Sequence, residues 1–139
     1  MKRLAAFPVF LAFFALASCV ATIPPVAVVV EKDLVKEAFD VAYSKGLTLG
    51  YELKYIDRDE WVIALTQKTE HTEVFIRVEL DKEKDDKGKE KDPPEFKITA
   101  RDFSSEVANT RYQLPRDIES IAEAMRRCCG VSVKKKGAQ

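Results

Sequence analysis

Trp61-Val62-Ile63-Ala64-Leu65-Thr66-Gln67, a polar break at residues 68–71, and then Glu73-Val74-Phe75-Ile76-Arg77-Val78-Glu79-Leu80 carry the period of a β-hairpin. Trp61, Ile63 and Leu65 share one face of the first strand. Val74, Ile76, Val78 and Leu80 share one face of the second, with Glu73, Arg77 and Glu79 opposed. Successive side chains on a strand point to opposite sides, so an apolar row backed by a polar row marks a half-buried strand. The break is too short for a crossover, so the pair is antiparallel. On this register Trp61 faces the core and Phe75 faces outward.

The same alternation extends both ways. Upstream, Leu47, Leu49, Tyr51, Leu53 and Tyr55 alternate with Thr48, Gly50, Glu52 and Lys54, and Asp57-Arg58-Asp59 supplies the turn. Downstream, Phe96, Ile98 and Ala100 alternate with Lys97, Thr99 and Arg101. Between them, residues 81–95 hold five lysines, seven acids, Gly88 and Pro93-Pro94. Such a segment has nothing to bury and is expected to be a mobile charged loop.

Two helical periods flank the strands. Asp33 is placed to cap a helix bearing Leu34, Val35, Ala38, Phe39 and Ala42 on one stripe, with Gly46 at its end. Pro115 suits the first position of a second helix, with Ile118, Ile121, Ala122, Met125 and Cys128 on its stripe and Gly130 at its end. Residues 103–113 are mixed in character and read as irregular. The expected fold is α+β: a two-layer sandwich, with a four-stranded antiparallel meander covered on one face by an N-terminal and a C-terminal helix. Val26 to Val30 reads either as a further short strand at the sheet edge or as part of a tether.

The N-terminus has a different logic. Met1-Lys2-Arg3 precedes an apolar run of about 14 residues from Leu4 to Ala17, short of the ~20 that a spanning helix needs. A charged start, a short apolar run and small residues before a cut make a secretory signal peptide. Leu16-Ala17-Ser18-Cys19 closes it and resembles the lipobox of bacterial lipoproteins. That resemblance implies cleavage between Ser18 and Cys19, lipidation with palmitate-type acyl chains at Cys19, and a cell-envelope location facing the periplasm. Val20 follows where an aspartate would have hinted at inner-membrane retention, so the resemblance favours the outer membrane. An uncleaved membrane anchor and a cleaved signal without lipid are the other two readings. The expected organisation is a signal peptide at 1–18, a lipid-anchored tether at 19–25, one α+β domain at 26–133 and a basic tail at 134–139. The helix–strand order is similar in outline to the helix-grip-like domains of small envelope lipoproteins such as BamC, without a shared motif.

The full chain carries 23 basic and 23 acidic side chains. Loss of Lys2 and Arg3 with the signal leaves 21 against 23, a net of −2. There is no basic field to gather nucleic acid. Three cysteines, one committed to the anchor, do not make a disulfide framework.

Candidate chemistry is sparse. His71, the only histidine, sits in a turn without an evident orienting partner. Asp57, Asp59 and Glu60 cluster in another turn, without the spacing of a calcium loop. Gly46 and Gly50 form no phosphate loop. Cys128-Cys129 reads as buried thiols, as a redox pair joined to each other or to another chain, or as half of a metal site lacking its second ligand pair. On this pattern Cys128 belongs to the core stripe and Cys129 lies beside it. No cofactor or metal is expected.

The outer sheet face is mainly polar. Phe75, with Val62, Ala64 and Arg77 nearby, is the exception and the expected partner surface. The resulting expectation is a non-enzymatic, lipid-anchored envelope protein that binds another envelope protein. The alternative is a small-ligand carrier or sensor using the groove between helices and sheet, with Tyr43, Tyr51, Tyr55 and Trp61 along it.

Overall fold

The computed structural model describes residues 21–84, 86–103 and 107–131. The expected signal peptide at 1–18, Cys19 and the expected tail at 134–139 lie outside the described residues. The chain is α+β. Its elements are β1 (Ala21–Val29), a 3-10 turn at Lys32–Leu34, α1 (Val35–Thr48), β2 (Glu52–Asp57), β3 (Val62–Lys68), β4 (Glu73–Leu80), β5 (Glu95–Asp102) and α2 (Val107–Cys129).

The sheet has five strands, not four, in the order β1-β5-β4-β3-β2. β2 to β5 form the expected antiparallel meander. β1 adds to its open edge, antiparallel to β5, from Ala21 opposite Asp102 to Val29 opposite Glu95. The tether expected at 19–25 is therefore corrected from Ala21 onward: this segment is already strand. The alternating run from Val26 to Val28 places Val26 opposite Ile98 and Val28 opposite Phe96, both on the core side. Pro24-Pro25 falls where the register shifts. Proline cannot donate to a ladder, so a bulge on an edge strand is where a sheet accommodates it.

One face of the sheet and the inner stripes of both helices make the core. Ile63, Leu65, Val74, Ile76, Val78, Phe96 and Ile98 meet Ala38, Phe39, Ala42, Leu114, Ile118, Ile121 and Met125, all buried. Gly46 does not end α1, which runs on to Thr48. It is buried where the helix meets the sheet: a Cβ there would run into Leu65 Cδ1. The reversal into β2 falls instead to Gly50, at φ +94°, a conformation that glycine adopts without steric cost.

α2 begins at Val107, eight residues before the proline that was expected to open it. Pro115 lies inside the helix, where its missing N–H costs one intrahelical hydrogen bond. The apolar stripe from Ile118 to Met125 faces the core as expected. The charged segment 81–95, expected as a mobile loop, carries contacts of its own. Lys84 and Glu90 pair as a bridge across its tip, and Lys91 Nζ lies 2.7 Å from Asp81 Oδ2 at its base.

Candidate functional site

β3, β4 and β5 present an outer face in rows set by the ladder. Thr66, Phe75 and Arg101 lie side by side, then Ala64, Arg77 and Thr99, then Val62, Glu79 and Lys97. The three rows contain Phe75, Val62, Ala64 and Arg77, so the structure brings the expected surface residues together. Phe75 is half-buried. Its ring meets that of Phe103 edge-to-face, with centroids 5.6 Å apart. Lys54 Nζ sits 4.5 Å from the Phe75 centroid, within cation–π range. Arg77 Nε lies 3.1 Å from Glu79 Oε2. A shallow hollow of about 330 Å³ opens between Ala64, Phe75, Arg77, Thr99, Arg101 and Phe103. The result is a small aromatic surface with a cationic rim.

Two contributors were not in the expected set. Phe103 is 46% exposed and lies one step past β5. The alternation Lys97, Thr99, Arg101, Phe103 already placed it on this face, but the strand was expected to stop at Arg101. Tyr55 was expected on the core face with Leu53. A register shift between Leu53 and Tyr55 inserts one residue, so Leu53 stays opposite Leu65 while Tyr55 moves opposite Ala64. Tyr55 is 52% exposed, and its hydroxyl donates to Asp57 Oδ2 at 3.2 Å. That bond to a carboxylate raises the Tyr55 phenol above its ordinary range. Leu53 keeps its parity but is exposed at the sheet edge.

The acidic turn is structural. Asp57 Oδ1 accepts the backbone N–H groups of Glu60 and Asp59, both at 3.0 Å, and these bonds lower its pKa. Lys82 pairs with Glu60 beside it. His71 is exposed in the β3–β4 turn, 4.0 Å from Glu70 Oε2. Among the described residues, no group of three or more His, Cys, Asp or Glu side chains is placed to hold a metal ion.

Cys128 and Cys129 are joined through their sulfurs. Their burial is the reverse of the expectation: Cys129 is 2% exposed and Cys128 faces solvent. The helix turns about 100° per residue, and the stripe set by Ile118, Ile121, Ala122 and Met125 reaches Cys129, four positions after Met125. The Cys129 carbonyl accepts the Glu31 N–H at 2.8 Å, and Gly130 bridges Val30. The pair thus sits where the end of α2 is joined to the end of β1.

The four aromatics expected along a helix–sheet groove are dispersed. Tyr51 is buried and donates its hydroxyl to Asp117 Oδ2 at 2.7 Å. Tyr43 packs at the core margin, and Tyr55 lies on the opposite face. Trp61 stands at the rim, where its ring meets Phe39 edge-to-face at 5.1 Å. It borders a hollow of about 580 Å³ with Val35, Leu80, Asp81, Lys91 and Pro94. Among the described residues no helix is long and apolar enough to cross a membrane. No protein-family model matches the chain, and no curated protein matches it either.

Proposed function

We propose that this chain is a lipid-anchored cell-envelope protein without catalytic activity, whose domain docks another envelope protein on its outer sheet face. The observation that carries the docking site is the half-buried Phe75 ring, held edge-to-face by Phe103 beneath Lys54 and beside Arg77. Protein contacts favour aromatic anchors encircled by groups that exclude water, and arginine recurs among their strongest contributors. The anchor rests on Leu16-Ala17-Ser18-Cys19 and the segment before it. Val20 favours the outer membrane.

Phe75→Glu tests the docking site. A charge placed in a closed contact is desolvated without a partner. Chemical crosslinking of intact membranes, followed by purification of the full chain, is expected to recover a partner with the native protein and lose it with Phe75→Glu. Retention of every crosslinked partner by a folded variant places the docking surface elsewhere.

A second reading, a small-ligand carrier, draws support from the hollow beside Trp61. Native mass spectrometry of protein released from membranes distinguishes it, since a carrier retains a small molecule there.

A further inference from the structure

The row of the sheet nearest the N-terminus has an address of its own. Ala21 pairs with Asp102, and Thr22 with Arg101. Arg101 in turn pairs with Phe75, and the Phe103 N–H donates to the Glu73 carbonyl at 2.8 Å. Ala21, Arg101, Asp102, Phe103 and Phe75 therefore belong to one end of the sheet. Trp61 belongs to the other: its carbonyl accepts the Leu80 N–H, and β3 runs from there down to Lys68.

Only Val20 separates Cys19 from Ala21. Two residue steps reach at most about 7 Å. The neighbouring strand adds roughly 5 Å, which brings in the end of β5. A lipid at Cys19 thus holds the Phe103 end of the sheet within a short distance of the headgroups. Trp61 stands about 20 Å farther along the strands, at ~3.3 Å per residue. Close tethering also makes weak contacts count, because the second contact is intramolecular.

The side chains at this end suit that position. Phe103 is exposed at the tip, and Arg101 is exposed one row behind it. An apolar ring enters the boundary between headgroups and acyl chains, while a guanidinium faces anionic phosphate.

We infer that the domain rests on the lipid surface through the end of its sheet, with Phe103 at headgroup level and Arg101 toward lipid phosphate. The inference rests on lipidation at Cys19, as proposed above. Phe75, which carries the proposed docking site, and Ala64, Arg77 and Val62 in the rows above stay open to a protein partner, which would then be met close to the membrane.

Trp61, the only tryptophan, makes the test direct. The full chain is purified from membranes and reconstituted into vesicles of phosphatidylethanolamine and phosphatidylglycerol, with and without brominated acyl chains. Native protein is compared with the double variant Trp61→Phe, Phe103→Trp. Should that variant fold poorly, Phe103→Trp alone is read as the difference from native. Flotation of the vesicles reports the anchor independently. The expected result is that both proteins float, the tryptophan at 103 loses most of its emission to brominated lipid, and Trp61 loses little. Floating protein with equal quenching at both positions overturns the resting orientation and leaves the anchor standing. Protein that does not float overturns the anchor and the inference with it. A tryptophan at 103 shielded from aqueous iodide in native membranes, yet unquenched by brominated lipid, assigns this end to a protein instead.

Discussion

Tyr51 and Asp117 set the stakes for single residues. Both are buried, and they are joined across 66 positions of sequence by a 2.7 Å hydrogen bond between the residue before β2 and the middle of α2. Burial, then the bond to Asp117, pushes the Tyr51 phenol well above its ordinary range. Tyr51→Phe removes the donor and leaves Asp117 without it. Hydrogen bonds to charged groups contribute about 1.5–3 kcal/mol, so a denaturant melt near neutral pH is expected to lose about 2 kcal/mol. A loss of a few tenths would show that Asp117 finds another donor. Trp61 and Phe75 give a second comparison. Trp61→Ala is expected to cost about 2–4 kcal/mol, below a fully buried aromatic because its ring stands half-buried against Phe39. Phe75→Ala is expected to cost about 1 kcal/mol or less, because its ring stands half-buried on the outer face against Phe103 and Lys54. Equal costs would mean that the outer face is covered by part of the chain itself.

Among the elements, β3, β4 and β5 were legible because their apolar and polar residues alternate without interruption. α1 was legible from its stripe, apart from its end. β2 was misread because one inserted residue between Leu53 and Tyr55 reverses every later side chain, and nothing in the composition of that run marks the shift. The start of α2 was missed for a different reason: proline is so well suited to a first turn that Pro115 reads as a beginning. Of the docking surface, Phe75, Val62, Ala64 and Arg77 followed from strand parity. Tyr55 did not, and Phe103 needed only one more step of the same count. The charged excursion between β4 and β5 was read from composition, which does not reveal Lys91 folding back on Asp81. That contact lowers the Asp81 pKa and raises that of Lys91. The stabilisation it supplies is full above the ordinary carboxylate value of about 3.9 and fades as pH falls through the lower folded value. On the alkaline side it is full below about 10.4 and fades as pH rises through the raised value. Melts of native protein and Lys91→Met should therefore differ at neutral pH and converge in strong acid; a constant gap would assign the effect to the lysine's packing. Replacing residues 83–90 with a short Gly-Ser link, keeping Lys91, should change stability by no more than about 1 kcal/mol, since closure entropy varies slowly with length.

At the scale of the whole molecule, a single sheet carries two unlike faces, one closed by α1 and α2 and one that no element covers among the described residues. The proposed lipid places that arrangement at a membrane. Cys19→Ala removes the acceptor thiol, so metabolic labelling with a palmitate analogue should fail and uncleaved precursor should accumulate. Equal label on the variant would remove the lipoprotein reading while leaving the sheet and its aromatic face as described. β1 also sets an order of events. It finds its partner in β5, about 80 residues later, and long-range pairings of this kind form late because the intervening chain must first be closed. A chain exported N-terminus first therefore has β1 outside long before β5 follows. Under the proposed lipidation, the bond between Ser18 and Cys19 would throughout that interval adjoin unpaired backbone, open to acylation and cleavage. Once β5 arrives, Ala21 is taken into the ladder, and a lipid on Cys19 would then lie two residues from the sheet. On that proposal, processing and folding would be separated in time by the placement of one strand, and a circular permutant that opens next to β5 would bring them into competition.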